Sequence, residues 1–108
     1  MYLNEILHLE KNNNSIKKID LFLSTVNKKS LDYYKAFAYK NIILHTLGKT
    51  NEALQNLYEV IPNIQNVNSE AIIEICDAII TITIDVKEFS EAKKYINFKK
   101  EHLKFSNL

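Results

Sequence analysis

Apolar and polar positions follow one another along this chain with a helical period. In "YLNEILHLEK", Leu3, Ile6, Leu7 and Leu9 recur at helical spacing. "NNNS" follows, four residues that favour caps and turns over helix interiors. "SIKKIDLFLSTV" then puts Ile16, Ile19, Leu23 and Val26 on one face, which predicts a second helix. "NKKS" breaks it, and Ser30 is placed to cap a third helix through "LDYYKAFAYKNIILHTL", with Tyr34, Phe37, Ala38 and Leu44 along one side.

The next segment is bracketed by the only glycine, Gly48, and the only proline, Pro62. Glycine takes the left-handed conformation that ends many helices, so Gly48 stops the third helix. Thr50 is placed to cap a fourth helix, with Glu52 in its first turn and an apolar side of Ala53, Leu54, Leu57, Val60 and Ile61. Pro62 lacks the N–H needed to continue and is expected to end it. The two helices, joined by a tight turn, predict an antiparallel hairpin.

A polar connection, "PNIQNVNS", leads to "EAIIEICDAIITITID", whose Ile-Thr alternation reads locally as a strand. Its polar positions decide for a helix. Glu70, Glu74, Asp77, Thr81 and Asp85 are spaced by four, three, four and four, one solvated stripe on a helix, whereas a strand would scatter them over both faces. Cys76 falls opposite that stripe and is expected in the core. A sixth helix, "EFSEAKKYINFKKEHLKF", has Phe89, Ala92, Tyr95, Ile96 and Leu103 as its apolar positions.

Composition adds limits. At 108 residues and 46% apolar, the chain suits one folded domain, residues 1–108. A single cysteine forms no internal disulfide and lacks partners for zinc, so a cytoplasmic setting is expected, with no cofactor and no metal. The N-terminal stretch, with Glu5 and Glu10, does not read as a signal peptide, and no apolar run reaches the roughly 18 residues that span a bilayer. Every basic side chain other than histidine is lysine, which weakens a nucleic-acid reading, since arginine is the preferred reader of phosphates and guanines. Residues 1–49 carry a charge of +4, residues 50–86 of −6 and residues 87–108 of +3. This distribution fits solvated faces, an acidic middle surface for a basic partner, or end-to-middle association of two copies.

Six helices in three hairpins (about 1–28, 30–62 and 69–105) invite a search for repetition. Aligned on a residue early in each second helix, Ile19 and Ala53 are 34 apart, and Ala53 and Ala92 are 39 apart. "LGKTNEALQNLYEVI" resembles the turn and second helix of a tetratricopeptide repeat through Gly48, Glu52, Ala53 and Leu57. "VKEFSEAKKYINF" resembles it through Phe89, Glu91, Ala92 and Ile96, with Lys87 where the glycine would stand. The first hairpin matches least, with Asn14 and Ile19 at the glycine and alanine positions, and Phe37 and Lys40–Asn41 replace the Trp and Leu-Gly of the family's first helices.

The resemblance implies an all-α fold of three stacked antiparallel hairpins, a short right-handed solenoid that binds a peptide or partner helix and is not an enzyme. Carried over by position, the groove would be lined by Asn4 and His8, by Lys35, Ala38, Ile42 and His45, and by Glu74, Asp77, Thr81 and Asp85. The last four belong to the polar stripe found from periodicity alone, so a ligand with a basic segment is expected. An alternative within the same resemblance is a peptide-sensing segment of a larger bacterial signalling or transcriptional regulator.

Other chemistry has less support. His8, His45 and His102 fall one to a hairpin without metal-ligand spacing, and His45 lies near a helix end where the dipole favours a cation. Glu74 and Asp77 share a face and would suit a metal or acid–base pair, but a solvated pair is the simpler reading. Lys93, Lys94, Lys99, Lys100 and Lys104, with Phe98 and Phe105, would make a basic surface for nucleic acid or an anionic membrane. Phe98, Leu103 and Phe105 near the C-terminus also suggest a homo-oligomer through the last helix.

Overall fold

The structure is a computed structural model that describes residues 1–64 and 69–106. Among the described residues there are six helices and no strand. They are α1 (Leu3–Ile6), α2 (Asn13–Thr25), α3 (Leu31–Thr46), α4 (Thr50–Ile64), α5 (Ser69–Asp85) and α6 (Phe89–Ser106). The Ile-Thr stretch is helical, as its polar stripe predicts: Ile72, Ile75, Ile79 and Ile82 are fully buried and Glu70, Asp77, Thr81 and Asp85 are exposed. Cys76 is buried opposite the stripe.

Local signals set four of the helix ends. Asn12 caps α2, its Oδ1 accepting from the Ser15 N–H at 2.9 Å, and Ser30 caps α3 by accepting from the Tyr33 N–H at 3.2 Å. Gly48, at φ +87°, ends α3. Its N–H donates to the His45 carbonyl and the Lys49 N–H to the Leu44 carbonyl, the paired bonds of a Schellman motif. The same pair recurs after α5. Lys87 N–H donates to the Ile84 carbonyl and Glu88 N–H to the Thr83 carbonyl, with Lys87 itself at φ +64°.

Four expectations are corrected. Pro62 does not end α4 but lies inside it. A proline removes one backbone bond from the turn, and here Ile61 and Ile64, both buried, hold that turn in the core. Thr50 is the first helical residue, not the cap, and the carbonyl of Lys49 accepts from the Ala53 N–H at 3.0 Å. The first helix is a single turn. Tyr2 supplies no capping side chain, and after Ile6 the chain continues in tighter turns in which His8 and Leu9 donate to Glu5 and Ile6. Phe89 and Leu103, placed on the apolar side of α6, are exposed, and it is Ala92, Tyr95 and Phe98 that pack inward. The connection expected after Pro62 includes residues 65–68, which lie outside the described residues, as do the side chains of Lys104 and Phe105.

Helix α3 holds the fold together. One apolar cluster is built from α3, α4 and α5, with Leu57, Ile64 and the α5 isoleucines at its centre. A second joins α1, α2 and α3 through Ile6, Ile19, Leu23, Ala36 and Ile43. Tyr34, Ala38 and Leu44 of α3 face the first cluster and Ala36 and Ile43 the second, so this helix is buried on two sides, not on the one side predicted. Each fully buried isoleucine contributes about 1.5–3 kcal/mol. Asn41, also fully buried, donates from Nδ2 to the Phe37 carbonyl and accepts on Oδ1 from Asn56 Nδ2 of α4 at 3.0 Å, which satisfies it. The last helix packs on α5 and reaches α4 through stacked rings of Tyr58 and Tyr95. The Cα radius of gyration is 13.6 Å, near the about 13 Å of a folded chain of 100 residues.

Candidate functional site

Three residues of α3, spaced by three and four, point the same way: Lys35, Ala38 and Ile42. On α5 the spacing of Glu74, Asp77 and Thr81 does the same. Because α3 packs directly against α5, these six side chains line one shallow depression of about 260 Å³, with Tyr39 and Leu7 at its margin. Ala38 and Ile42 of α3 and Ala78 of α5 give it an apolar part. The Tyr39 hydroxyl donates to the Leu9 carbonyl and fixes the wall next to α1.

Two further predicted residues, His45 and Asp85, stand one helical turn beyond Ile42 and Thr81 and meet each other. His45 Nε2 lies 2.6 Å from Asp85 Oδ2, while Nδ1 lies 2.7 Å from the Thr50 hydroxyl. One imidazole thus ties together the ends of α3 and α5 and the start of α4. The last pair, Asn4 and His8, is not part of the depression. His8 Nδ1 pairs with the Asn4 carbonyl at 2.7 Å, both residues are exposed, and α1 contributes Leu7 instead.

The electrostatics differ from those of a bare acidic stripe. Lys99 of α6 reaches Asp77 Oδ1 at 2.6 Å, so two of the stripe's carboxylates are engaged inside the molecule. Glu74 is half-buried beside the depression, and Lys35 stands on its other side, so the site offers both signs of charge. The Thr81 hydroxyl donates to the Asp77 carbonyl at 2.8 Å and keeps its lone pairs for a donor. Lys99 is therefore not part of a free basic face, and Phe98 packs inward against Tyr95 at 6.1 Å and His102 at 4.7 Å between ring centroids. Among the described residues, no trio of His, Cys, Asp or Glu side chains gathers as a metal site would, and no helix is long and apolar enough to cross a membrane.

A larger hollow, about 610 Å³, opens elsewhere, between α4 and the α5–α6 turn. Leu54, Tyr58 and Val86 form its apolar wall, with Glu88 and Glu91 at the rim. Burial first, and the Glu91 carboxylate second, push the Tyr58 hydroxyl up to about 12. Sequence periodicity gives no sign of this hollow, because its walls come from three helices and a turn whose meeting depends on tertiary packing. No family model, no curated protein and no solved structure matches the chain.

Proposed function

We propose that the chain is a small binding module of the tetratricopeptide kind, three helical hairpins stacked side by side, that takes a peptide or a partner helix along the α3–α5 face. One observation carries the reading. Six residues assigned to a groove by repeat alignment, from segments more than thirty positions apart, converge on a single depression. The repeat itself has support in equivalent positions. Ile19, Ala53 and Ala92 are all buried, and Gly48 and Lys87 end their helices with the same pair of backbone bonds. Helices α1, α3 and α5 pack in succession, as the first helices of such a stack would.

The ligand chemistry follows from the lining. An apolar side chain would sit on Ala38 and Ile42, and a basic residue beside Glu74 would complete the contact, with Thr81 accepting from a backbone or side-chain N–H. The role is binding rather than catalysis, needs no cofactor, and suits a cytoplasmic setting for a chain with one buried thiol.

A displayed peptide library selected against the protein tests this. Selected peptides are expected to carry a basic residue next to an apolar one. They should lose at least about tenfold in affinity, or 1.4 kcal/mol, on the double variant Glu74→Lys with Thr81→Lys. Thermal unfolding of the double variant beside the parent separates loss of fold from loss of binding, since Glu74 is half-buried and both new lysines stand within a turn of Asp77. Selected peptides that bind the variant as well as the parent would contradict the assignment.

A further inference from the structure

The described large apolar side chains that remain exposed are not scattered. Met1, Tyr2 and Leu21 lie at the N-terminal end, and Ile84, Val86 and Phe89 lie within six positions of one another at the α5–α6 turn; Leu103 alone stands apart. Single exposed apolar residues need no explanation, but grouped ones mark contact surfaces. The two groups differ in shape and charge. At the N-terminal end Met1, Leu21, Phe22 and Thr25 enclose a hollow of about 270 Å³, with Lys18 as its one charged lining residue. Lys17 is exposed next to it, while Asp20 of the same helix is held by Lys40 at 2.7 Å. The α5–α6 turn instead presents Phe89, 62% exposed, beside the exposed carboxylate of Glu88; Asp85 is already held by His45, and Lys87 and Lys93 are exposed nearby.

We propose that the α5–α6 turn of one molecule docks on the N-terminal hollow of a second copy, the Phe89 ring entering beside Leu21 and Glu88 meeting Lys18. The hollow, about 270 Å³, is large enough for one aromatic ring, and its Lys18 is opposite in sign to Glu88 of the turn. Residues 1–49 carry +4, whereas the turn joins the −6 of residues 50–86 to the +3 of residues 87–108, so the attraction is local, between Lys18 and Glu88. The contact is heterologous: each copy keeps one free hollow and one free turn, so association is open-ended unless its rotation closes a ring. Three apolar side chains on each side fall short of a standard interface, so the contact is weak and forms at high protein concentration. This surface is separate from the α3–α5 face and does not depend on how that face is used.

Sedimentation equilibrium of the full chain, from about 10 µM to about 1 mM, is the test. The average mass is expected to rise with concentration, and Leu21→Asp or Phe89→Asp alone should weaken association at least about tenfold. Each variant spoils one of the two surfaces, so an equimolar mixture should form a one-to-one heterodimer and go no further. Lys18→Glu should weaken association, and adding Glu88→Lys should restore it; this pair leaves the apolar surfaces intact should an aspartate disturb folding. A wild-type chain that stays monomeric to the top concentration would overturn the proposal. So would wild-type association that both aspartate variants retain, or a mixture of those variants that remains monomeric.

Discussion

Lys87 occupies a backbone conformation that an L-residue with a side chain enters at a cost of roughly 1–2 kcal/mol. Its φ of +64° ends α5 in the same motif that Gly48 makes after α3. Lys87→Gly is therefore expected to raise stability by about 1 kcal/mol in urea unfolding, the relief of strain being partly offset by a more flexible unfolded chain. Gly48→Ala should lower it by about 1 kcal/mol from backbone strain alone, because nothing lies within 4 Å of where the added methyl would go. This correspondence was legible: alignment of the repeats put Lys87 at the glycine position. The roles of Thr50 and His45 were not, since a cap and a helix-end histidine look the same in sequence whether or not they bond to each other.

Cys76 gives a second residue-scale expectation. Burial first, and the neighbouring Asp77 second, push its thiol from an ordinary value of 9.0 up to about 11. Between those values the unfolded chain releases a proton that the folded chain keeps, so stability falls as pH rises. Unfolding midpoints measured from pH 8 to pH 11 should decline above about pH 9, and Cys76→Ala should flatten that decline. Tyr58, raised from 10.0 to about 12 by burial and Glu91, accounts for a further fall at higher pH that the Cys76 variant retains. A decline of equal slope in both proteins would show that the thiol does not titrate differently on folding.

At the scale of elements, α3 decides how much of the molecule stays together, because it belongs to both apolar clusters. Ile43, fully buried against α1 and α2, is expected to cost about 2–5 kcal/mol on change to alanine. Asn41→Ala should cost about 1–3 kcal/mol by leaving the Asn56 amide without its acceptor. Differential scanning calorimetry would measure both. A smaller loss at Ile43 than at a partly exposed position such as Ile42 would contradict the central place of α3. Its sequence hid this role. A helix apolar on more than one side reads as buried between neighbours, yet one face with Tyr34, Ala38 and Leu44 was enough to predict a helix, and Ala36 and Ile43 went unassigned. Pro62 misled for the opposite reason. The rule against proline describes one backbone bond, and the burial of Ile61 and Ile64 outweighs it in the last turn of α4.

For the whole molecule, the all-helical class and the order of the elements were legible from periodicity, although Pro62 broke nothing and α1 is a single turn; so was the polar stripe on α5. What could not be read was how charges far apart in sequence would meet. Asp77 with Lys99 and His45 with Asp85 are separated by 22 and 40 positions, and a single sequence does not report such pairings. With Lys35, they give the α3–α5 depression mixed charge, so the proposed ligand has a basic residue near Glu74 and an apolar residue over Ala38 and Ile42. Amide chemical shifts of the labelled protein, titrated with a selected peptide, test the central claim most directly. Binding along the α3–α5 face should move the resonances of residues 35–42 and 74–81 together, saturating at one peptide per chain, and leave those of Leu21 and Phe22 in place. Shifts that instead centre on the α4–α6 hollow around Tyr58 and Glu91, or that leave residues 74–81 unmoved at saturation, would contradict it.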